Sequence, residues 1–157
     1  MKLSGKAAVI TGAGSGFGAE LARRFAAEGC HLTLFDLDAE ACARVAAEVR
    51  EAGGSAVEVA GDVADPAAAK ACMATAMESH GRLDFLLNNA GIGGAMGTIE
   101  RMKEEDFDQV FATNVRGVFL FAREAIPLLA ARGGDGDDGG GGVIVNTAST
   151  AAFKPRP

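Results

Sequence analysis

The sequence contains no tryptophan and no tyrosine. Its aromatic rings are those of nine phenylalanines and two histidines, so no side chain can supply a phenolic hydroxyl as proton donor. Three cysteines, Cys30, Cys42 and Cys72, are widely spaced and form neither a CxxC pair nor a zinc-ligand pattern. An odd, scattered set of thiols reads as small buried hydrophobes rather than a disulfide framework. No apolar run approaches the ~18–20 residues of a membrane span. Met1-Lys2-Leu3-Ser4-Gly5-Lys6 leads straight into a strand pattern, so no signal peptide and a cytoplasmic location are expected. Basic residues are the minority, 15 Lys plus Arg against 21 Asp plus Glu, for a net charge of −6. Nucleic acid and anionic membranes, which reward a basic surface, are poor partners on that account. No residues show metal-ligand spacing.

What is present is ordinary globular composition, 48% hydrophobic and 23% charged. The 157 residues suit one domain, long enough to bury a core without a disulfide staple. Fifteen of the 22 glycines fall in three short stretches: four in 12–18, four in 91–97 and seven in 133–142. Between them two periods alternate. Ala7-Ala8-Val9-Ile10-Thr11 has the continuous apolar character of a strand buried on both faces. Phe17, Leu21 and Phe25 then recur at helical spacing as an inward face, until Gly29 ends the helix.

The unit repeats. His31-Leu32-Thr33-Leu34-Phe35 is a second strand, and Cys42, Val45, Ala46 and Val49 stripe a second helix. Ala56 to Val59 predicts a third strand; Asp65 and Pro66 then open a helix that runs to about His80. Asp84 to Leu87 is a fourth strand. One long helix is expected over 103–131, carrying Phe107, Val110, Phe111, Val118 and Phe121, with Pro127 kinking it or tightening its last turn. Val143 to Asn146 is a fifth strand. Strand–helix alternation with short links implies parallel strands and right-handed crossovers, hence an α/β doubly wound sheet of the Rossmann type in the order 3-2-1-4-5. The Gly/Asp-rich stretch 133–142 reads as a flexible surface loop, with a weak cation site as the alternative.

The strongest motif, Thr11-Gly12-Ala13-Gly14-Ser15-Gly16-Phe17-Gly18, lies between the first strand and the first helix. Glycines there permit a tight turn, close approach of backbone N–H groups to a pyrophosphate, and close helix–strand packing. The positive end of the helix dipole then faces the phosphates. Asp36 ends the second strand, 18 residues after Gly18. A carboxylate there accepts hydrogen bonds from the adenosine ribose hydroxyls and repels a 2′-phosphate. With Ser15 rather than a basic residue inside the loop, NAD is expected over NADP. Asp38 is a competing acid but fits better as the cap of the second helix.

With Asn88-Asn89-Ala90-Gly91 following the fourth strand, the chain resembles the short-chain dehydrogenases/reductases. The resemblance covers the whole chain, and the NNAG motif in this strand order is its most specific part. It implies hydride transfer between nicotinamide and a small-molecule carbonyl or secondary alcohol. It implies that Gly12, Ser15, Gly16, Phe17 and Gly18 hold the coenzyme with Asp36. Asp62 and Val63 would contact adenine, while Asn88, Ala90 and Gly91 would wall the pocket beside the adenosine ribose and nicotinamide. Asn114 would hold a water in a proton relay, and Ser149 would hydrogen-bond the substrate oxygen. Each has a plainer reading: Asp62 as a turn residue, Asn114 as a polar kink in a helix, Ser149 as a helix cap.

The family's Tyr-x-x-x-Lys segment begins thirteen residues after that serine, which falls beyond Pro157. Lys154 has no Tyr four residues before it. The expectation is a coenzyme-binding portion with an incomplete catalytic centre, lacking the family's later strands and helices. General acid–base catalysis contributes ~10²–10⁴-fold, which sets the scale of the impairment. A non-catalytic dinucleotide-binding module or a truncated gene product is the alternative, and an S-adenosylmethionine methyltransferase a more distant one. The fifth strand is then an edge. Phe111, Val118 and Phe121 are expected to lose cover, and helix 103–131 is the surface through which copies would associate.

Overall fold

The computed structural model describes residues 3–94, 98–131 and 141–149. Five parallel strands, β1 (Ala7–Thr11), β2 (His31–Asp36), β3 (Ser55–Ala60), β4 (Phe85–Asn88) and β5 (Val143–Asn146), form one sheet in the order β3-β2-β1-β4-β5. The register pairs Val9 with Thr33 on one side and with Leu86 on the other. β1 is buried along its whole length, which is why it reads as an unbroken apolar run instead of alternating. The chain order reverses at β1: the helices that follow β1 and β4 lie on opposite faces of the sheet, which leaves a crevice at the carboxyl ends of the strands.

Helices α1 (Gly16–Ala27), α2 (Ala39–Glu51), α3 (Pro66–His80), α4 (Glu104–Phe111) and α5 (Val118–Ala130) cover the two faces. One apolar layer gathers Ile10, Leu32 and Leu34 of the sheet with Ala22 of α1 and Val45 and Val49 of α2. The other gathers Val9, Phe35 and Leu86 with Met73 of α3 and Leu120, Phe121 and Leu129 of α5. Phe35 and Phe121 meet edge to face at 4.9 Å, both fully buried. α2 starts at Asp38, whose carboxylate accepts from Ala41 N, and α3 at Asp65, which accepts from Ala67 N, with Pro66 just inside.

Three expectations change. Phe17 is not on the inward face of α1 but 82% exposed; the buried residues are Gly18, Ala19 and Ala22, with Leu21 and Phe25 partly covered. The helix begins so close to the glycine loop that only small side chains fit against the sheet, and the apolar arc lies on the far side from Phe17. The helix expected over 103–131 is broken into α4 and α5 by a π-helical turn, Ala112–Gly117. Pro127 lies in the last turn of α5, and its carbonyl accepts from Ala131 N at 3.1 Å. Phe121, expected to be partly uncovered, is fully buried, whereas Phe111 is half-exposed.

All three cysteines are buried and free. Burial pushes the Cys30 thiol up to about 12 and that of Cys42 up to about 11, and raises that of Cys72 as well. No helix among the described residues is long and apolar enough to cross a membrane. The loop 133–142 lies outside the described residues except for Gly141 and Gly142, and so does Lys154.

Candidate functional site

Two loops meet where the strand order reverses. Thr11, the last residue of β1, sends its hydroxyl toward the Leu87 carbonyl at 3.5 Å and accepts from the backbone N–H of Asn89 and of Ala90, each at 3.1 Å. Asn89 Nδ2 reaches back to the carbonyls of Thr11 and Gly12, both at 3.2 Å. The glycine loop and the loop after β4 are therefore clasped by four hydrogen bonds between residues nearly 80 apart in sequence. Their closeness leaves no room for side chains. A Cβ on Gly12, whose φ is +64°, would lie 2.8 Å from Ala90 Cα, and one on Gly18 would overlap the Gly12 carbonyl.

At the start of α1 the Ser15 side chain makes no cap hydrogen bond, and the first turn carries no acidic residue. Ser15, Gly16 and Phe17 are exposed there, so the first-turn N–H groups and the positive dipole end face the crevice. That is a cradle for an anion, and an acidic side chain in the turn would have spoiled it.

Asp36 stands at the end of β2, half-buried, with Oδ2 accepting from Gly14 N at 2.7 Å and Oδ1 from Asp38 N at 3.0 Å. Its backbone carbonyl accepts from Gly61 N at 2.9 Å. Asp62 is exposed at the carboxyl end of β3, where Oδ1 accepts from Ala64 N at 2.8 Å; its plainer reading as a turn residue describes that oxygen. Val63 is buried against the π-helical turn, where Gly117 makes room: a Cβ on Gly117 would sit 2.8 Å from Val63 Cγ2.

Asn88 is buried at the end of β4 and donates from Nδ2 to Asn146 Oδ1 of β5 at 2.9 Å. Thr147 N donates to the Asn88 carbonyl, carrying β4–β5 pairing one residue beyond the strand. Ala90 and Gly91 lead the chain away. Asn114, within the π-helical turn, uses both ends of its amide on Ile92: Oδ1 accepts from Ile92 N and Nδ2 donates to Ile92 O, each at 2.9 Å. Ser149 is exposed three residues past β5, also at the carboxyl end of the sheet. Among the described residues, no cluster of three or more His, Cys, Asp or Glu side chains could hold a metal ion.

The structure thus brings Gly12, Ser15, Gly16, Phe17, Gly18, Asp36, Asp62, Val63, Asn88, Ala90, Gly91, Asn114 and Ser149 to one end of the sheet. Sequence reasoning passed over Thr11 and Asn89 as site residues, although both stand inside motifs it singled out, and it passed over Gly14, Ile92 and Asn146. A cavity of about 480 Å³ lies between the carboxyl ends of α1 and α2, lined by Arg23, Cys30, His31, Glu48, Val49 and others. It shares no residue with this cluster.

Residues 6–157 match the family model for short chain dehydrogenase, and the chain belongs to that family. It is 40% identical over 153 residues to an uncharacterized oxidoreductase of Thermotoga maritima, covering 98% of this chain and 57% of that protein. It is 39% identical over 151 residues to 2-(R)-hydroxypropyl-CoM dehydrogenase of Xanthobacter autotrophicus, covering 94% and 58%. Among solved structures, a 3-ketoacyl-(acyl-carrier-protein) reductase from Brucella melitensis complexed with NADH superposes with a TM-score of 0.90 at 42% identity. That match covers 99% of this chain and 62% of the reductase. A short chain dehydrogenase/reductase from Burkholderia phymatum in complex with NAD gives 0.91 at 37%, covering 100% and 53%. The chain therefore spans somewhat over half the length of the relatives it matches. Membership in this family sets aside the methyltransferase reading.

Proposed function

We propose that these residues form the coenzyme site of an oxidoreductase that binds NAD in preference to NADP and acts on a small-molecule carbonyl or secondary alcohol. The observation that carries the preference is Asp36: a carboxylate held beside the glycine loop, with Ser15 in the loop and no basic side chain there to neutralise a 2′-phosphate. The anion cradle at the start of α1 fits the pyrophosphate, with Gly12, Ser15, Gly16, Phe17 and Gly18 as its backbone. Asp62 and Val63 would meet the adenine ring, Asp62 with the carboxylate oxygen its turn leaves over. Asn88, Ala90 and Gly91 would wall the pocket beside the adenosine ribose and nicotinamide. When bound, the coenzyme supplies the hydride donor or acceptor.

The chain's own residues do the rest. Ser149 would hydrogen-bond the substrate oxygen and polarise it. Both ends of the Asn114 amide are committed to Ile92, so a relay water would be held by the Asn114 backbone carbonyl within the π-helical turn. None of the 157 residues is a tyrosine, so none can pass a phenolic proton to the substrate oxygen. Turnover by these residues alone is expected to fall by about 10²–10⁴-fold for want of a general acid. The second reading is a dinucleotide-binding module without catalysis. Titration with NADH and NADPH, followed by an assay with a panel of ketones and secondary alcohols, separates the two. Binding with turnover supports the first, and binding without turnover the second.

Two further proposals concern setting and assembly. The free, buried thiols suit a reducing cytoplasm. Phe107, Phe111, Val115, Phe119 and Ile126, at 49–59% exposure, form an apolar strip along α4, the π-helical turn and α5, through which copies of the chain would associate. Light scattering is expected to show a mass above that of the monomer, shifted toward monomer by F119E. A strictly monomeric wild type would contradict it.

A further inference from the structure

We propose that Asp36 is also a positioning residue, holding the walls of the adenosine subsite in their binding arrangement before any coenzyme arrives. This rests on the reading of the site as an NAD site and adds a second role for its carboxylate. Three loops converge on this one residue. Oδ2 takes the Gly14 N–H of the glycine loop at 2.7 Å, Oδ1 takes the Asp38 N–H of the turn into α2 at 3.0 Å, and the backbone carbonyl takes the Gly61 N–H that leads to Asp62 at 2.9 Å. The first two are charge-assisted bonds from backbone donors, the stronger kind. Asp38 in turn caps α2 through Ala41, so the carboxylate also orients the start of that helix.

The packing around Gly14 agrees. Gly14 is buried, and a Cβ built on it would lie 3.0 Å from both Asp36 Oδ2 and Ala41 Cβ. The loop is thus drawn down onto the carboxylate and the first turn of α2 until only a glycine backbone fits without displacing a neighbour. Each carboxylate oxygen has two acceptor directions and uses one on the loops, leaving capacity for the ribose hydroxyls. The same charge that selects the coenzyme therefore braces the site that receives it. Removing it does not simply open room for a 2′-phosphate; it releases the glycine loop as well.

Two independent measurements on the full chain test this. Amide hydrogen exchange at Gly14 and Asp38, read by NMR without coenzyme, reports the clasp itself. Titration with NADH and NADPH reports its consequence. In wild type both amides are expected to be protected. D36A is expected to speed exchange at both by about tenfold or more, the size of losing a hydrogen bond to a charged group. Its NADH affinity falls with no gain for NADPH. D36N keeps one acceptor oxygen and no charge, so one of the two amides stays protected while discrimination between the coenzymes narrows. Circular dichroism checks that both variants fold, and D36N carries the comparison if D36A does not. The proposal is overturned if both amides exchange freely in wild type. It is equally overturned if D36A leaves them protected, or binds NADPH as tightly as wild type binds NADH. A wild type with protected amides that binds neither coenzyme would refute the NAD reading and leave the clasp standing.

Discussion

Thr11 shows how much a single hydroxyl can organise. Its oxygen accepts from two successive backbone N–H groups of the NNAG loop and faces the Leu87 carbonyl. The residue itself is 2% exposed. T11V keeps the shape and removes the acceptor, leaving the Asn89 and Ala90 donors without their partner. A loss of about 1–3 kcal/mol is expected in urea unfolding, with T11S retaining most of the stability. Equal unfolding midpoints for wild type and T11V would contradict the clasp. Gly18 makes the opposite point, since there it is an absent atom that matters. A methyl group at that position would overlap the Gly12 carbonyl and press on Asn89 Nδ2 at 2.7 Å. G18A is therefore expected to weaken NADH binding by about tenfold or more and to lower stability by about 1–3 kcal/mol. Undiminished binding would mean that the loop relaxes freely. Neither contact is visible in sequence. Asp36 stands out in the sequence because a carboxylate after the second strand has a ready chemical use, whereas Thr11 and Asn89 act through hydrogen bonds across almost 80 residues.

At the scale of elements, the sheet was legible because its central strands are buried on both faces and their sequences say so. Ala7 to Thr11 and Leu32 to Phe35 are unbroken apolar runs with a threonine; Gly5 and Gly12 flank the first, and Gly29 and Asp36 the second. The caps at Asp38 and Asp65 were legible for a local reason, an acceptor side chain placed before an N–H-rich helix start. The inward face of α1 was not. Its large apolar residues suggest one arc, but the closeness of the glycine loop, a tertiary constraint, turns the small residues Gly18, Ala19 and Ala22 inward. The break between α4 and α5 was hidden too. Helical periodicity continues through Ala112–Gly117, and only the approach of Gly117 to Val63 and the pairing of Asn114 with Ile92 accompany the π-helical turn. The apolar strip on α4 and α5 survives the break, and F119E is the substitution aimed at it.

For the whole molecule, acid is a specific stress. The two histidines stack at 5.7 Å between ring centroids, His31 at the start of β2 and His80 at the end of α3. His80 Nε2 is buried and makes no hydrogen bond among the described residues. Burial, and secondarily the neighbouring His31, lower the His80 pKa below its ordinary 6.5. The unfolded chain then binds this proton more readily than the folded one. The corresponding stability is complete above 6.5 and is lost as pH falls through the lower folded value. The melting temperature is expected to drop between about pH 7 and pH 5, and less steeply in H80Q. Parallel pH profiles for the two proteins would show that His80 does not carry this acid sensitivity.

On the proposed reading, the glycine loop, Asp36 and the NNAG loop form an NAD site at the carboxyl ends of the strands. Fluorescence titration of the purified chain with NADH, with NADPH as control, tests it most directly. The expected result is saturable binding of NADH and much weaker binding of NADPH, because on the proposed reading Asp36 would accept from the ribose hydroxyls and repel the added phosphate. Equal binding of both would contradict the role of Asp36, and binding of neither would contradict the site.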